Sequence, residues 1–407
     1  MKGLKAQRKG QASITRFSQQ TSQRRQAAGW SLKLGFSFEL CPLSVGLRLL
    51  FSVALLAALA CGCETGRYYR QAIGGQWQIM THQRPIHKLL ADTNTPAELK
   101  ARLELVLKVR QFAERELKLP IDDHYLRYVD LGRRFVVWNV HAAPELSLRA
   151  KSWWYPLVGS LDYRGYFSEE HAKRYAAHLR DQGYEVCIGG VTAYSTLGWF
   201  EDPVLNTFIF DDEAELVELL FHELAHQRLF LSGDTDFNEA FATAVAEEGL
   251  RRWTSALKDA EAWRRYEANL RRNEQFVRLV LSARTQLETV YGEEMDEHGK
   301  LRHESKAVPR NPEWQRTEKQ RILETLRQRY AELKKEWGGY AGYDEWFAGP
   351  LNNAQLNTLA TYYELVPGFH RMIASCDGDL EKFYRETHAL KKLDEAERHR
   401  RIKAWRQ

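Results

Sequence analysis

In "LVELLFHELAHQRLF" (216–230), His222 and His226 stand four residues apart and Glu223 follows the first directly. On a helix this spacing puts both imidazoles on one face, a turn apart, where both can reach one zinc ion at about 2.0–2.1 Å. Glu223 then lies about 100° round from His222, beside the ion. From there it can take a proton from a polarised water and later give it to a leaving amine, which is the acid–base part of peptide hydrolysis. Five letters alone are weakly specific. The flanking Leu219, Leu220, Phe221, Leu224 and Ala225 could wall such a site. Arg228 departs from the pattern, since metallopeptidases usually carry an apolar residue there.

A catalytic zinc takes three protein ligands and leaves a position for water. "DTDFNEAFATAVAEEGLRRW" (234–253) offers the third. Asp236 or Asn238 can start a second helix after a turn at Gly233, with Glu239 in its first turn. Ala240, Ala242, Ala244 and Ala246 carry little bulk and let the two helices pack closely. Glu247 and Glu248 are rivals about 12 Å further along the axis, so Glu239 is the expected ligand. The plain alternative for Glu239 is an acidic residue favoured by the helix dipole. Hydrolysis also needs a donor for the oxyanion; Asn352, Asn353, Tyr362 and Tyr363 are candidates among which the residues do not choose. An enzyme that recognises a free amino terminus needs a further carboxylate, for which Glu201 and Asp202 are available. His124, His141, His171, His178 and His370 have no partner at metal spacing and are expected on the surface or in the core.

The elements around this pair change character along the chain. Residues 94–119 read as a helix, with Thr95 as cap, Pro96 in the first turn, and Leu99, Leu103, Val106 and Leu117 as its apolar stripe. Residues 133–142, 153–163, 184–191 and 203–210 are rich in β-branched and aromatic side chains and read as strands. One helix interrupts them at 168–183, capped by Ser168 and stopped by Gly183. The metal helix begins at Asp212, with Glu215 completing a capping box, and ends at Gly233. Residues 292–314 are polar and aperiodic and read as an exposed loop; 315–337 form a charged amphipathic helix. The expected fold class is α+β: a zincin-like arrangement with a mixed sheet in the first half, the His-Glu-x-x-His helix, and a mainly helical second half.

The 407 residues carry 59 Lys and Arg against 54 Asp and Glu. Nine of those bases and one of those acids lie within 1–62, so the remainder holds 50 bases and 53 acids. The overall basicity belongs to that segment and argues for no nucleic-acid partner. Its basic residues end at Arg48, and "LLFSVALLAALA" (49–60) follows, an apolar run of signal-peptide length. Small residues then meet Cys61 and Cys63, the pattern of a bacterial lipoprotein cleavage site, and Cys63 after Gly62 is the better candidate for lipidation. This organisation divides the chain into a leader at 1–62 and an enzymatic part at 63–407. That part comprises helix plus sheet at 63–210, metal helices at 211–253 and helices at 254–407. Glu64 after Cys63 favours the outer over the inner membrane, with the protein facing the periplasm. Cys187 and Cys376 could pair or stay free. Nothing in the pattern sets an oligomeric state.

With "YYRQAIGGQ" (68–76), "WWYPLVGSLDYRGYFS" (153–168), "GGVTAYSTLGWFEDPVLNTF" (189–208), "FHELAHQRLF", "FNEAFATAVAEEG" and "LNNAQLNTLATYYELVPGF" (351–369), the chain resembles a family of Gram-negative lipoproteins described as predicted aminopeptidases. The two-His-one-Glu set is similar to that of gluzincin metallopeptidases, although thirteen residues from His226 to Glu239 is a short spacing for that group. The resemblance implies bound zinc at His222, His226 and Glu239, peptide or protein substrates, a lipid anchor at Cys63, and a substrate role for "GGVTAYSTLGWFEDP". In that role an edge strand at 203–210 could pair with a peptide, with Gly189, Gly190 and Gly198 allowing its backbone close. The Gly-x-Met-Glu-Asn signature of one large aminopeptidase group is absent from the sequence. The residues themselves therefore leave exopeptidase and endopeptidase open, beside a non-catalytic lipoprotein with a structural or empty site.

Overall fold

The computed structural model describes residues 64–155, 159–193, 201–295, 301–304, 311–359 and 365–405. Cys61, Cys63, Gly198, Tyr362 and Tyr363 lie outside them. Helix α1 (Glu64–Thr81) leads through β1 (Arg84–Pro85) and α2 (Ile86–Ala91) to α3 (Ala97–Leu117). Pro96 occupies the N-cap of α3 with φ −54°, and no side chain caps that end. Thr95, the expected cap, is instead buried just before it. Leu103, Val106, Val109, Ala113 and Leu117 form the buried stripe, with Leu99 only partly covered.

The strands are β2 (Arg127–Val129), β3 (Val137–Pro144), β4 (Trp153–Tyr155), β5 (Gly159–Leu161) and β6 (Arg164–Tyr166), then β7 (Tyr184–Val191) and β8 (Val204–Leu205) after helix α4 (Glu169–Asp181). They form several small sheets, of which one is mixed. The described strands make an antiparallel β6-β3-β7 sheet, a three-stranded β1-β2-β8 sheet in which only β2 and β8 run parallel, and a β4–β5 hairpin. Trp138, Val140 and Ala142 of β3 alternate onto one face and pack with Ala172, Tyr175, Ala176 and Leu179 of α4. Ser168 caps α4 and Gly183 (φ +83°) follows its end. The strand expected over 203–210 stops after two residues. The Asn206 side chain accepts from the Leu131 amide and donates to the Arg133 carbonyl, and the backbone then turns with Phe208 and Ile209 in the core.

Two long helices carry the site, α5 (Glu213–Arg228) and α6 (Thr235–Ala256). The 32-residue α7 (Ala260–Tyr291) follows, then β9 (Glu293–Met295), β10 (Leu301–Glu304) and α8 (Pro312–Glu336). Strands β9 and β10 pair antiparallel inside the segment expected to be a plain loop, where Glu293 accepts from the Leu148 amide. The short α9 (Asp344–Phe347) and α10 (Asn353–Leu356) precede α11 (Val366–Ser375), α12 (Leu380–Ala389) and α13 (Glu395–Ala404). The main core joins α3, α5, α6, α11 and α12; a second core joins α7, α8 and α9. Among the described residues no helix is long and apolar enough to cross a membrane.

Candidate metal centre

Helix α5 starts where Asp212 accepts from the Ala214 amide at 3.3 Å. It ends at Leu229, which is extended (φ −148°, ψ 120°) and buried, rather than at Gly233. The apolar side chain draws the backbone out of the helix early, and Gly233 (φ +90°) makes the turn that follows. The Asn238 side chain holds that turn, accepting from the Leu231 amide at 2.8 Å and donating to its carbonyl at 2.7 Å. Asp234 caps α6 by accepting from the Phe237 amide at 3.1 Å. Neither Asp236 nor Asn238 starts the helix, and Glu239 falls in its second turn. A Cβ on Gly249 would come within 2.6 Å of Leu117 and 2.7 Å of Phe221, so glycine allows α6 to press against α3 and α5.

This packing brings Glu239 to the two histidines. His222 Nε2 lies 3.1 Å from His226 Nε2, and Glu239 Oε2 and Oε1 lie 3.3 Å and 3.6 Å from His222 and His226 respectively. Ligands at about 2.05 Å around a tetrahedral zinc are separated by about 3.3 Å, so the donor set has the spacing that ion requires. The His226 and Glu239 side chains are 1% and 3% exposed, while that of His222 is 16% exposed and forms the accessible edge. Buried Glu239 Oε1 and His226 Nδ1 accept or donate no hydrogen bond among the described residues. A buried carboxylate set against two imidazoles is a donor set that could hold a divalent cation.

The electrostatics agree. Burial, with the neighbouring His222 charge, holds His226 well below the usual histidine range, which leaves it a neutral ligand. Burial also disfavours charge on His222, but its hydrogen bond to Glu239 and the Glu239, Glu223 and Glu218 charges raise it overall. Burial raises Glu239 against the opposing effect of His222. Glu223, half-buried on α5, follows His222 on the same turn.

Three residues next to this set are not singled out by sequence as a group. Tyr125 is buried, and burial together with the Glu223 and Asp202 carboxylates pushes its phenol well above the usual tyrosine range. Its backbone is left-handed (φ +59°), an uncommon state for a bulky residue, and its amide donates to the Asp202 carbonyl at 2.8 Å. The Asp202 amide in turn donates to His124 Nδ1 at 3.2 Å. Nothing in "DDHYLRY" betrays a positive φ, so this clamp has no sequence signal. Of the two carboxylates considered for an ammonium group, Asp202 is buried beside Tyr125, whereas Glu201 is exposed and pairs with Arg127 at 3.5 Å.

The other candidates go elsewhere. Glu247 meets His370 at 2.6 Å, and Glu248 is held by Arg251 and Arg252, each at 2.7 Å. The Asn353 amide reaches the carbonyls of Pro144, Glu145 and Ser147, and Asn352 caps α10, so both are committed to packing rather than to an oxyanion. His141 is buried and pushed down to about 4 by burial, while His171 and His178 lie on α4. Gly189 and Gly190 lie within β7, and a Cβ on Gly190 would meet the Phe135 ring at 2.3 Å. That glycine leaves room for the partly buried Phe135 ring. Cys187 and Cys376 are free.

A second set of possible ligands, Asp234, Glu395 and His399, also converges. There Asp234 already accepts from Arg398, His399 and the Phe237 amide, and a guanidinium in that place opposes a cation. A cavity of about 590 Å³, lined by Asp212, Glu215, Trp253, Tyr266, Arg272 and Tyr340 among others, sits at the start of α5. Asp212 precedes His222 by about 15 Å of helix, so this space is separate from the candidate metal centre.

A family model described as putative aminopeptidase matches residues 67–402. No curated protein and no solved structure matches the chain.

Proposed function

The chain belongs to the putative aminopeptidase family, a membership that points to peptide hydrolysis, and on that premise we propose that it is a zinc-dependent peptidase anchored as a lipoprotein through Cys63. The observation that carries the zinc reading is the convergence of His222, His226 and Glu239 at 3.1–3.6 Å from two buried helices. These residues would hold the ion, which when bound supplies Lewis-acid polarisation of the scissile carbonyl and a more acidic water.

The chain's own residues do the remainder. Glu223 accepts the proton of the attacking water as its oxygen bonds to the carbonyl carbon. It returns that proton to the nitrogen as the carbon–nitrogen bond breaks. Tyr125, fixed by its clamp to Asp202, donates its O–H to the carbonyl oxygen as that atom gains charge. The Asp202 carboxylate is buried and faces His124 at 3.7 Å, so the preference for aminopeptidase over endopeptidase action rests on the family membership.

Two measurements test the reading. Purified protein is expected to carry one zinc per chain, and absence of stoichiometric metal overturns it. Glu223→Gln is expected to keep that zinc and lose about 10²–10⁴-fold in kcat. Equal cleavage of amino-blocked and free-amine peptides would instead favour an endopeptidase acting on envelope proteins.

A further inference from the structure

Helix α1 has two opposite faces. Tyr68, Gln71, Gly75 and Ile79 follow the 3-4 spacing of one helical stripe and turn inward. Gln71 accepts from the Phe167 amide at 2.8 Å, the Arg164 guanidinium sits 4.2 Å over the Tyr68 ring, and Ile79 is buried. On the far side Ile73, Trp77 and Met80, spaced i, i+4 and i+7, are 64%, 65% and 41% exposed. Arg70 is exposed on the same side and Arg67 at the border between the two faces, both in the first two turns.

We propose that this outward face of α1 lies in the interface of an anionic lipid bilayer and lays the catalytic body against it. An apolar strip that includes a tryptophan, bordered by arginines, is the composition of a helix that lies in the headgroup plane. The position in the chain is the second support. The apolar run at 49–60 ends four residues before Glu64, a reach of about 14 Å even when fully extended. Whatever membrane that run or a lipid on Cys63 enters, α1 begins at its surface. A second copy of the chain is a poor occupant, because three side chains fall far short of the roughly 800 Å² per partner that a stable dimer buries. The proposal goes beyond peptide hydrolysis and takes from the preceding section only the anchor.

The test uses the full chain reconstituted with vesicles of phosphatidylethanolamine and phosphatidylglycerol whose acyl chains carry bromine, a contact quencher of tryptophan. The protein is expected to sediment with the vesicles, and most of its quenchable emission is expected to disappear in Trp77→Phe but not in Trp314→Phe. Trp314 is also exposed, at the start of α8, so neither change opens the core. Sedimentation with an unquenched Trp77 overturns the proposal and leaves the anchor standing. Sedimentation that Ile73→Ser/Trp77→Ser/Met80→Ser abolishes supports the face and overturns the anchor. A chain that stays in the supernatant overturns both, and a dimer in detergent with Trp77 shielded assigns the face to a second copy.

Discussion

Tyr125 illustrates how one residue's backbone can decide what its side chain does. A left-handed conformation at a non-glycine residue costs on the order of 1–3 kcal/mol and persists only where neighbours enforce it. Here the enforcement is the Asp202 carbonyl, which accepts the Tyr125 amide, and the result is a buried phenol beside the Glu223 carboxylate. Tyr125→Phe keeps the ring and removes only the donor. It is expected to lower kcat about 10²–10³-fold with KM and zinc content nearly unchanged; steady-state kinetics with metal analysis would show it, and an unaltered kcat would exclude the role. His222, His226 and Glu223 were readable because helical spacing is written directly in residue numbers. Tyr125 was not, because its place depends on a contact with residue 202 and on a torsion angle that no spacing encodes.

Among the elements, the start of α6 departs most from its sequence reading. Its cap is Asp234 rather than Asp236 or Asn238, because Asp234 is also the partner of Arg398 at 2.6 Å and His399 at 2.8 Å on α13. Those partners lie more than 160 residues away and are invisible to local reasoning. Burial works against the charge on both acid and imidazole. The hydrogen bonds and charges of the cluster, with Asp236 and Glu395 adding to His399, outweigh it, so Asp234 is lowered and His399 raised. The signs follow. Asp234 stabilises the fold above its unfolded pKa of about 3.9, and that contribution is lost as pH falls through the lower folded value. His399 contributes fully below about 6.5 and loses its contribution as pH rises through the higher folded value. Melting temperature is therefore expected to decline on both sides of a plateau. His399→Gln should shrink the alkaline decline and also weaken the acid one, because His399 helps lower Asp234, and Asp234→Ala should cost about 3–5 kcal/mol by leaving Arg398 buried without its acid. Thermal melts from pH 3 to 9 would decide it; an alkaline decline unchanged in His399→Gln would refute the assignment. The helices α3, α4, α5 and α8 were legible because their apolar periods are long, whereas β9 and β10 were not, since strands of three and four residues are too short to show a period.

At the scale of the whole molecule, the second core of α7, α8 and α9 is tied by buried polar groups to the β3–β7 sheet that packs on α4. Asn353 is central to that joint. Its side chain reaches one carbonyl at the end of β3 and two just after it and accepts from Tyr291, while its backbone amide donates to Glu185, which Lys319 also engages. Sequence offered Asn353 only as one of four possible oxyanion donors, because the distant carbonyls it serves are invisible to local reasoning. Asn353→Ala leaves those carbonyls buried and unpaired, at an expected cost of about 2–4 kcal/mol. Hydrogen exchange should show α7 and α8 losing protection before α5 and α6. A uniform loss of protection across all four helices would mean that the two cores open as one unit.

The three groups that converge at the centre lie between positions 222 and 239, on two helices joined by one short turn. Contacts so close in the chain form early in folding, whereas others that hold the main core, such as Tyr384 bonding to the Leu117 carbonyl across 267 residues, must wait for distant segments to meet. If the hairpin binds the zinc proposed above, it can do so before the surrounding body has assembled, and the ion would then be part of the assembly route. Zinc present during refolding is expected to speed the recovery of native tryptophan fluorescence. The same zinc added only after the body has closed should act more slowly, because entry is then limited to the exposed edge of His222. Stopped-flow refolding with the two orders of addition measures that difference, and identical time courses would show that the body closes first.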